Sequence, residues 1–337
     1  MTLVERLHET GILRLGAPRR HRYRFADGRP VSARERERIA GLRIPPRWKD
    51  VAIDPAPRAR VQAVGRDAAG RWQYLYHVAH AKRREREKFE RLVRFVRALP
   101  AMRRAVARDL ARPGLSREKV LACVVRVISV CFLRPGSQVY VSENGSFGIT
   151  TIRRRHVTVR GDTVFFDFPG KFGKRQARQM RDRRVARIVR RLRALAGRGL
   201  FQFEDGEGSL FDVRRRHVNA YLKEIMGSAF SARDFRTWAG TLLCAGALAR
   251  AGADPTDTRI VRRRKIVSAV REAAENLGNT PAICRSSYIS PRILDSFERG
   301  RVIGQSFRTV EELVARRSGG LHRCERALLR LLQARAA

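Results

Sequence analysis

Acidic residues are scarce in this chain: 32 Asp and Glu stand against 73 Lys and Arg over 337 residues, a formal net charge of +41. That excess goes beyond any solubility requirement and implies a polyanionic partner, with nucleic acid ahead of a membrane surface. Cysteine is sparse too. The five present, Cys123, Cys131, Cys244, Cys284 and Cys324, are odd in number and lack Cys-x-x-Cys spacing. A disulfide framework and a zinc site are thereby excluded, and reduced core thiols are expected. No long uninterrupted apolar run occurs, and Met1-Thr-Leu-Val-Glu-Arg6 has no signal-peptide apolar core; a soluble, cytoplasmic protein without a membrane partner is the expectation. Lysine is rare among the cations, limited to Lys49, Lys82, Lys88, Lys119, Lys171, Lys174, Lys223 and Lys265. A Gly-x-x-x-x-Gly-Lys-[Ser/Thr] motif is absent, so the stretch from Gly170 to Lys174 is no nucleotide phosphate loop.

What is present divides the chain in two. Residues 1–80 are rich in turn signals such as Ala26-Asp-Gly-Arg-Pro30 and Asp54-Pro-Ala-Pro57, set between short alternating runs, Arg60-Val-Gln-Ala-Val64 and Trp72-Gln-Tyr-Leu-Tyr76. They predict a small strand-rich domain. Residues 81–337 carry helical stripes, among them Phe89, Leu92, Val93 and Val96, then Leu121, Val124, Val125 and Ile128, then Val185, Ile188, Val189, Leu192 and Leu195. Later helices are expected near Val213 to Met226, Ala232 to Arg250, Arg259 to Leu277, Val310 to Arg317 and at the C-terminus. A β-hairpin near 157–180 interrupts them: Val157–Arg160 and Thr163–Phe168 flank Gly161-Asp162, a third strand follows over Arg175–Met180, and Lys171 falls near a hairpin tip. The fold class is α+β.

Five scattered residues, Arg134, Lys171, Arg236, Asn279 and Tyr288, suggest phosphodiester chemistry, although each has a plain structural reading. Arg134 stands where a buried helix should end and could cap its carbonyls. Arg236 is embedded among aromatic residues, and two partly buried arginines need an anion to offset their desolvation. A hairpin-tip lysine is usually a solvated charge, yet lysine can give up a proton where arginine cannot. Asn279, before Thr280-Pro281, reads as a helix stop and restart with Asn or Thr as the cap. Tyr288, after Ser286-Ser287 and before a proline turn, reads as accessible. On Trp72–Tyr76, alternation puts Gln73 with Arg71 and Leu75, and Tyr74 with Tyr76; sheet packing and contact with DNA bases are equally open there.

Read together, these residues resemble a family: the type IB DNA topoisomerases, specifically the poxvirus-like enzymes of bacteria. The resemblance rests on Ile44-Pro-Pro-Arg-Trp-Lys-Asp50, Gly70-Arg-Trp-Gln-Tyr-Leu-Tyr-His77, Phe132-Leu-Arg134, Glu143-Asn-Gly-Ser-Phe-Gly-Ile-Thr-Thr151, Arg233-Asp-Phe-Arg-Thr-Trp-Ala-Gly240 and Leu277-Gly-Asn-Thr-Pro281 with Tyr288. It implies a clamp around duplex DNA and a helical catalytic domain of the tyrosine recombinase and type IB topoisomerase kind. It implies relaxation of supercoils through a 3′-phosphotyrosyl link, with no cofactor, no ATP and no obligatory metal, by a nucleoid-associated monomer preferring supercoiled DNA. Tyr288 corresponds to the nucleophile, Arg134 and Arg236 to clamps on the non-bridging oxygens, and Lys171 to the general acid. Asn279 stands where poxvirus and nuclear relatives have histidine, and an amide can hydrogen-bond there but not take up a proton. DNA contact is implied for Arg71, Gln73, Tyr74, Tyr76, Gly136, Tyr140 and Arg233.

Two alternatives have distinct signatures. In a tyrosine recombinase the second arginine stands three residues after a histidine; here that place is Arg233, and no histidine lies between His217 and His322. A non-enzymatic architectural DNA binder would use the same charge without needing Tyr288. The acidic metal-binding box of type IA and type II topoisomerases is not seen.

Overall fold

The computed structural model describes every residue apart from 18–19, 206, 305–306, 308–311, 313–318 and 335–337. It divides into two units, Met1–Lys88 and Phe89–Ala337. The division falls within one long helix, Val78–Asp109, eight residues beyond the 80/81 boundary expected from sequence. Residues 81–87 of that helix are exposed, and Phe89 is the first buried side chain of its apolar stripe.

The first unit is a five-stranded antiparallel sheet with two helices. Its strands are β1 (Ile12–Leu15), β2 (Arg22–Phe25), β3 (Lys49–Ile53), β4 (Val61–Arg66) and β5 (Trp72–Tyr76), in the order β2-β1-β3-β4-β5. Helices α1 (Leu3–Thr10) and α2 (Ala33–Gly41) complete it. Ile12, Val31, Ile39, Val51, Ile53 and Ala63 form one apolar layer, and Leu7, Ala52, Val61 and Val64 form another. With apolar layers on both faces, β4 is buried along almost its whole length rather than alternating. The helices went unread in the turn-rich sequence, although each has a local start signal. Thr2 with Glu5, and Ser32 with Glu35, are reciprocal capping boxes: the Thr2 backbone N–H donates to Glu5 at 2.7 Å, and the Glu5 N–H donates to the Thr2 hydroxyl at 3.2 Å.

The second unit is mainly helical. The long helix is α3 (Val78–Asp109); α4 (Arg117–Cys131) and α5 (Gln138–Asn144) follow. Next comes an antiparallel sheet of β6 (Val157–Arg160), β7 (Thr163–Pro169) and β8 (Arg175–Arg181), the hairpin region expected near 157–180. After α6 (Arg183–Ala194) come β9 (Gln202–Glu204) and β10 (Leu210–Asp212), then α7 (Arg215–Met226), α8 (Ala232–Ala251), α9 (Arg259–Leu277), α10 (Pro281–Tyr288), α11 (Pro291–Glu298) and α12 (Arg323–Gln333). Residues 234–248 of α8 are buried on every face, which makes it the central helix of this unit. The helix expected near Val213 begins two residues later because β10 occupies the preceding segment; that expected at Val310 to Arg317 lies outside the described residues. All five cysteines are buried free thiols. Among the described residues no helix is long and apolar enough to cross a membrane, and no group of His, Cys, Asp and Glu is arranged to hold a metal ion.

Candidate active site

The site is built around the corner where α9 gives way to α10. Gly278 ends α9 at φ +60°, a left-handed conformation that glycine adopts without a Cβ penalty, and the Asn279 N–H returns to the Ala274 carbonyl at 2.9 Å. Thr280 then caps α10, its hydroxyl accepting from the Ile283 N–H, and Pro281 takes the first helical position. Of the two caps open from sequence, Thr280 is the one used. Asn279 keeps its side chain for the site.

Tyr288 is the last residue of α10, and Pro291 starts the next helix rather than making a turn. Tyr288 is half-buried and packs on the main core, because α10 lies directly on α8. The Thr241 hydroxyl, wholly buried on α8, donates to the Tyr288 carbonyl at 3.1 Å and accepts from the Ser290 N–H at 3.1 Å. A Cβ on Gly240 would stand 2.8 Å from the Tyr288 carbonyl oxygen and 2.9 Å from its Cβ. Gly240→Ala is therefore expected to displace α10, costing about 1–3 kcal/mol by overpacking; a lowered thermal midpoint would show it. Cys284, one turn before Tyr288, is buried and its thiol is pushed up to about 11 by desolvation, so it is an inert core thiol.

Arg236, on the same helix as Gly240, is 3 % exposed. Its guanidinium donates to the Phe132 and Leu277 carbonyls, the latter at 2.8 Å, and lies 5.1 Å from the centre of the Tyr288 ring. Phe132 presents its carbonyl from a left-handed conformation, φ 54°, at the end of α4. Arg134, two residues on, does not cap α4. It reaches across to α9, donating to the Gly278 carbonyl at 3.4 Å and to the Asn279 side-chain oxygen. Burial presses both guanidiniums below the usual arginine range; Arg134 adds to the effect on Arg236, and Tyr288 opposes it at both. Arginine stays charged regardless, so the shift measures a desolvation cost that carbonyl dipoles only partly offset. Arg236 Nε and Asn279 Nδ2 are buried donors with no partner among the described residues.

The structure thus brings together Arg134, Arg236, Asn279 and Tyr288. Lys171 lies in a 3-10 turn, Lys171–Gly173, between β7 and β8, exposed, with its ammonium 4.7 Å from the centre of the Phe172 ring. Arg233 and Tyr140 are exposed, while Gly136 packs on Gly148, where a Cβ would meet the Gly148 Cα at 3.0 Å. On β5, Tyr76 joins the Leu7 layer and Leu75 the Ile12 layer, while Tyr74 remains 41 % exposed. Gln73 and Arg71 both donate to the Asp67 carboxylate, at 2.9 and 3.0 Å, so each has a local role in the β4–β5 turn. Gly240 closes one of the motifs quoted from sequence but without a role there, and Thr241 carries no sequence signal, since their partner, Tyr288, is remote along the chain.

A tyrosine beneath the buried Arg236, beside Arg134 and Asn279, in so basic a chain fits an enzyme that acts on DNA. Residues 78–298 match the family described as eukaryotic DNA topoisomerase I, catalytic core, and residues 20–67 match the bacterial DNA topoisomerase IB N-terminal domain. The chain is 32 % identical over 281 residues to DNA topoisomerase 1B of Acanthamoeba polyphaga mimivirus, covering 82 % of this chain and 84 % of that protein. It is 24 % identical over 139 residues to DNA topoisomerase 1B of vaccinia virus, covering 40 % of this chain and 44 % of the relative. The chain belongs to the type IB DNA topoisomerases, isomerases that act on DNA.

Proposed function

We propose that Tyr288 is the nucleophile of a DNA strand-transfer reaction that relaxes supercoiled duplex DNA. Its phenolic oxygen attacks the scissile phosphorus, a P–O(Tyr288) bond forms on the 3′ side, and the P–O5′ bond breaks. Lys171 passes a proton to the departing O5′, and the phenol proton leaves to solvent. Arg134 and Arg236 hold the non-bridging oxygens as charge develops, and the Asn279 amide donates to one of them. The released 5′ end turns about the intact strand, after which the O5′ hydroxyl attacks the phosphotyrosine and restores the backbone. Bond energy is retained in the covalent intermediate, so no nucleotide is consumed.

The observation that carries this reading is the pair of unpartnered buried donors, Arg236 Nε and Asn279 Nδ2, in a cluster where Arg236 lies over the Tyr288 ring and Arg134 donates to Asn279. Such donors in a desolvated setting suit a phosphodiester, which supplies both charge and acceptors. The enzyme is read as a monomer that prefers supercoiled substrate, and Arg233 and Tyr140 as further DNA contacts. The test is relaxation of plasmid in EDTA without ATP, followed by denaturant trapping of a protein–DNA adduct. Full relaxation and an adduct on the 3′ end are expected; a requirement for metal or nucleotide would contradict the mechanism.

A further inference from the structure

Four consecutive carbonyls at the end of α9 receive three arginines, from α8, from β8 and from the segment after α4. Leu277 accepts from Arg236 and Gly278 from Arg134, as described. The two carbonyls before them, Glu275 and Asn276, accept from Arg178 on β8, at 3.4 and 2.7 Å. A cation at a helix C-terminus is favoured by the negative end of the helix dipole. Arg178 is also half-buried and donates to its own neighbour's carbonyl, that of Ala177, at 2.8 Å, which fixes the guanidinium.

The hairpin that bears Lys171 is a continuous ladder from that anchor. Arg178 pairs with Phe166, Ala177 with Asp167, Gln176 with Phe168 and Arg175 with Pro169. The loop closes with the Gly170 N–H on the Lys174 carbonyl at 2.8 Å. Between loop and corner stands Gln176, 7 % exposed. A Cβ on Gly170 would fall 2.6 Å from its Cγ, and one on Gly278 would fall 2.8 Å from its Nε2. The Gln176 side chain is therefore a wedge between the residue before Lys171 and the residue before Asn279.

We infer that Arg178 is a positioning residue for strand cleavage: by clamping β8 to the last turn of α9, with Gln176 as the spacer, it sets where Lys171 meets the departing O5′. The inference rests on the reading of Lys171 as proton donor. Arg178 touches neither substrate nor the reacting atoms and acts through the hairpin. Its removal should mimic loss of the general acid without loss of the oxyanion clamps.

The experiment compares single-turnover cleavage of two duplexes, one normal and one carrying sulfur in place of the bridging O5′, since a thiolate departs without a proton. Arg178→Met is expected to slow cleavage of the oxygen substrate about 10–100-fold, the scale of a roughly 1 Å misplacement, and to leave the sulfur substrate near the wild-type rate. Arg178→Lys, which keeps one donor for the Asn276 carbonyl, should recover part of the loss. Gln176→Ala should show the same selectivity and tests the seating without removing a charge, should Arg178→Met fail to fold. Equal slowing on both substrates, or none on either, overturns the inference. Lys171→Ala is the control. Selective loss on oxygen in that variant upholds the proton-donor reading even when Arg178 fails, whereas equal loss on both substrates overturns that reading and the inference with it.

Discussion

Tyr288→Phe should leave a folded protein that binds duplex DNA and forms no covalent adduct with it, with plasmid relaxation reduced more than about 10⁴-fold, the scale on which removing an enzyme's nucleophile acts. The ring would remain against the core and beneath the Arg236 guanidinium, 5.1 Å from its centre in the native protein. The backbone hydrogen bond from Thr241 to the carbonyl of residue 288 does not depend on the hydroxyl. Only the attacking oxygen and its support of the Arg236 charge would be lost. Thermal melts and salt-dependent binding should therefore match wild type while the trapped adduct disappears. A Tyr288→Phe protein that relaxes plasmid as well as wild type would show that the chain manages DNA by binding alone, or through another nucleophile.

Arg236→Gln should lower the cleavage rate about 10²–10³-fold, the cost of losing one preorganised donor to a developing oxyanion. Two opposed effects act on stability. Removing a buried cation with no carboxylate among the groups acting on it relieves desolvation. Against this, glutamine is shorter and has one donor nitrogen in place of the two that reach the Phe132 and Leu277 carbonyls, and an acceptor left unsatisfied costs about 1–3 kcal/mol. The net change in thermal midpoint should be small compared with the kinetic loss. If Arg236 contacts a phosphate, the salt dependence of binding should also become shallower by about 0.9 in log–log slope. A large drop in stability with little change in the cleavage rate of the folded fraction would make Arg236 a structural strut and not a clamp.

Helix α9 was legible because nineteen residues are enough for a stripe to repeat, and Gly278 marks its end. The hairpin β6–β7 was legible from Gly161-Asp162 between β-branched and aromatic runs, and it pairs with Arg160 opposite Thr163. Helices α10 and α11 were not, since eight residues give barely two turns. Their starts, Thr280-Pro281 and Ser290-Pro291, use the same residues that build turns. The packing of Tyr288 is not legible in its neighbours for a related reason. The groups packed against it, Gly240, Thr241 and Arg236, sit on a helix remote in sequence.

The amino-acid sequence by itself determined the polyanionic partner, the α+β class, the motifs and the chemical types of Arg134, Lys171, Arg236, Asn279 and Tyr288, because charge, periodicity and side-chain chemistry are local properties. Tertiary structure alone decided that Arg134, Arg178 and Arg236 all converge on the last carbonyls of α9, and that Asn279 faces Arg134 while Thr280 does the capping. The reason is physical. A helix end presents unpaired acceptors to whatever donors the packing of distant elements delivers, and no local pattern encodes which arginines those will be.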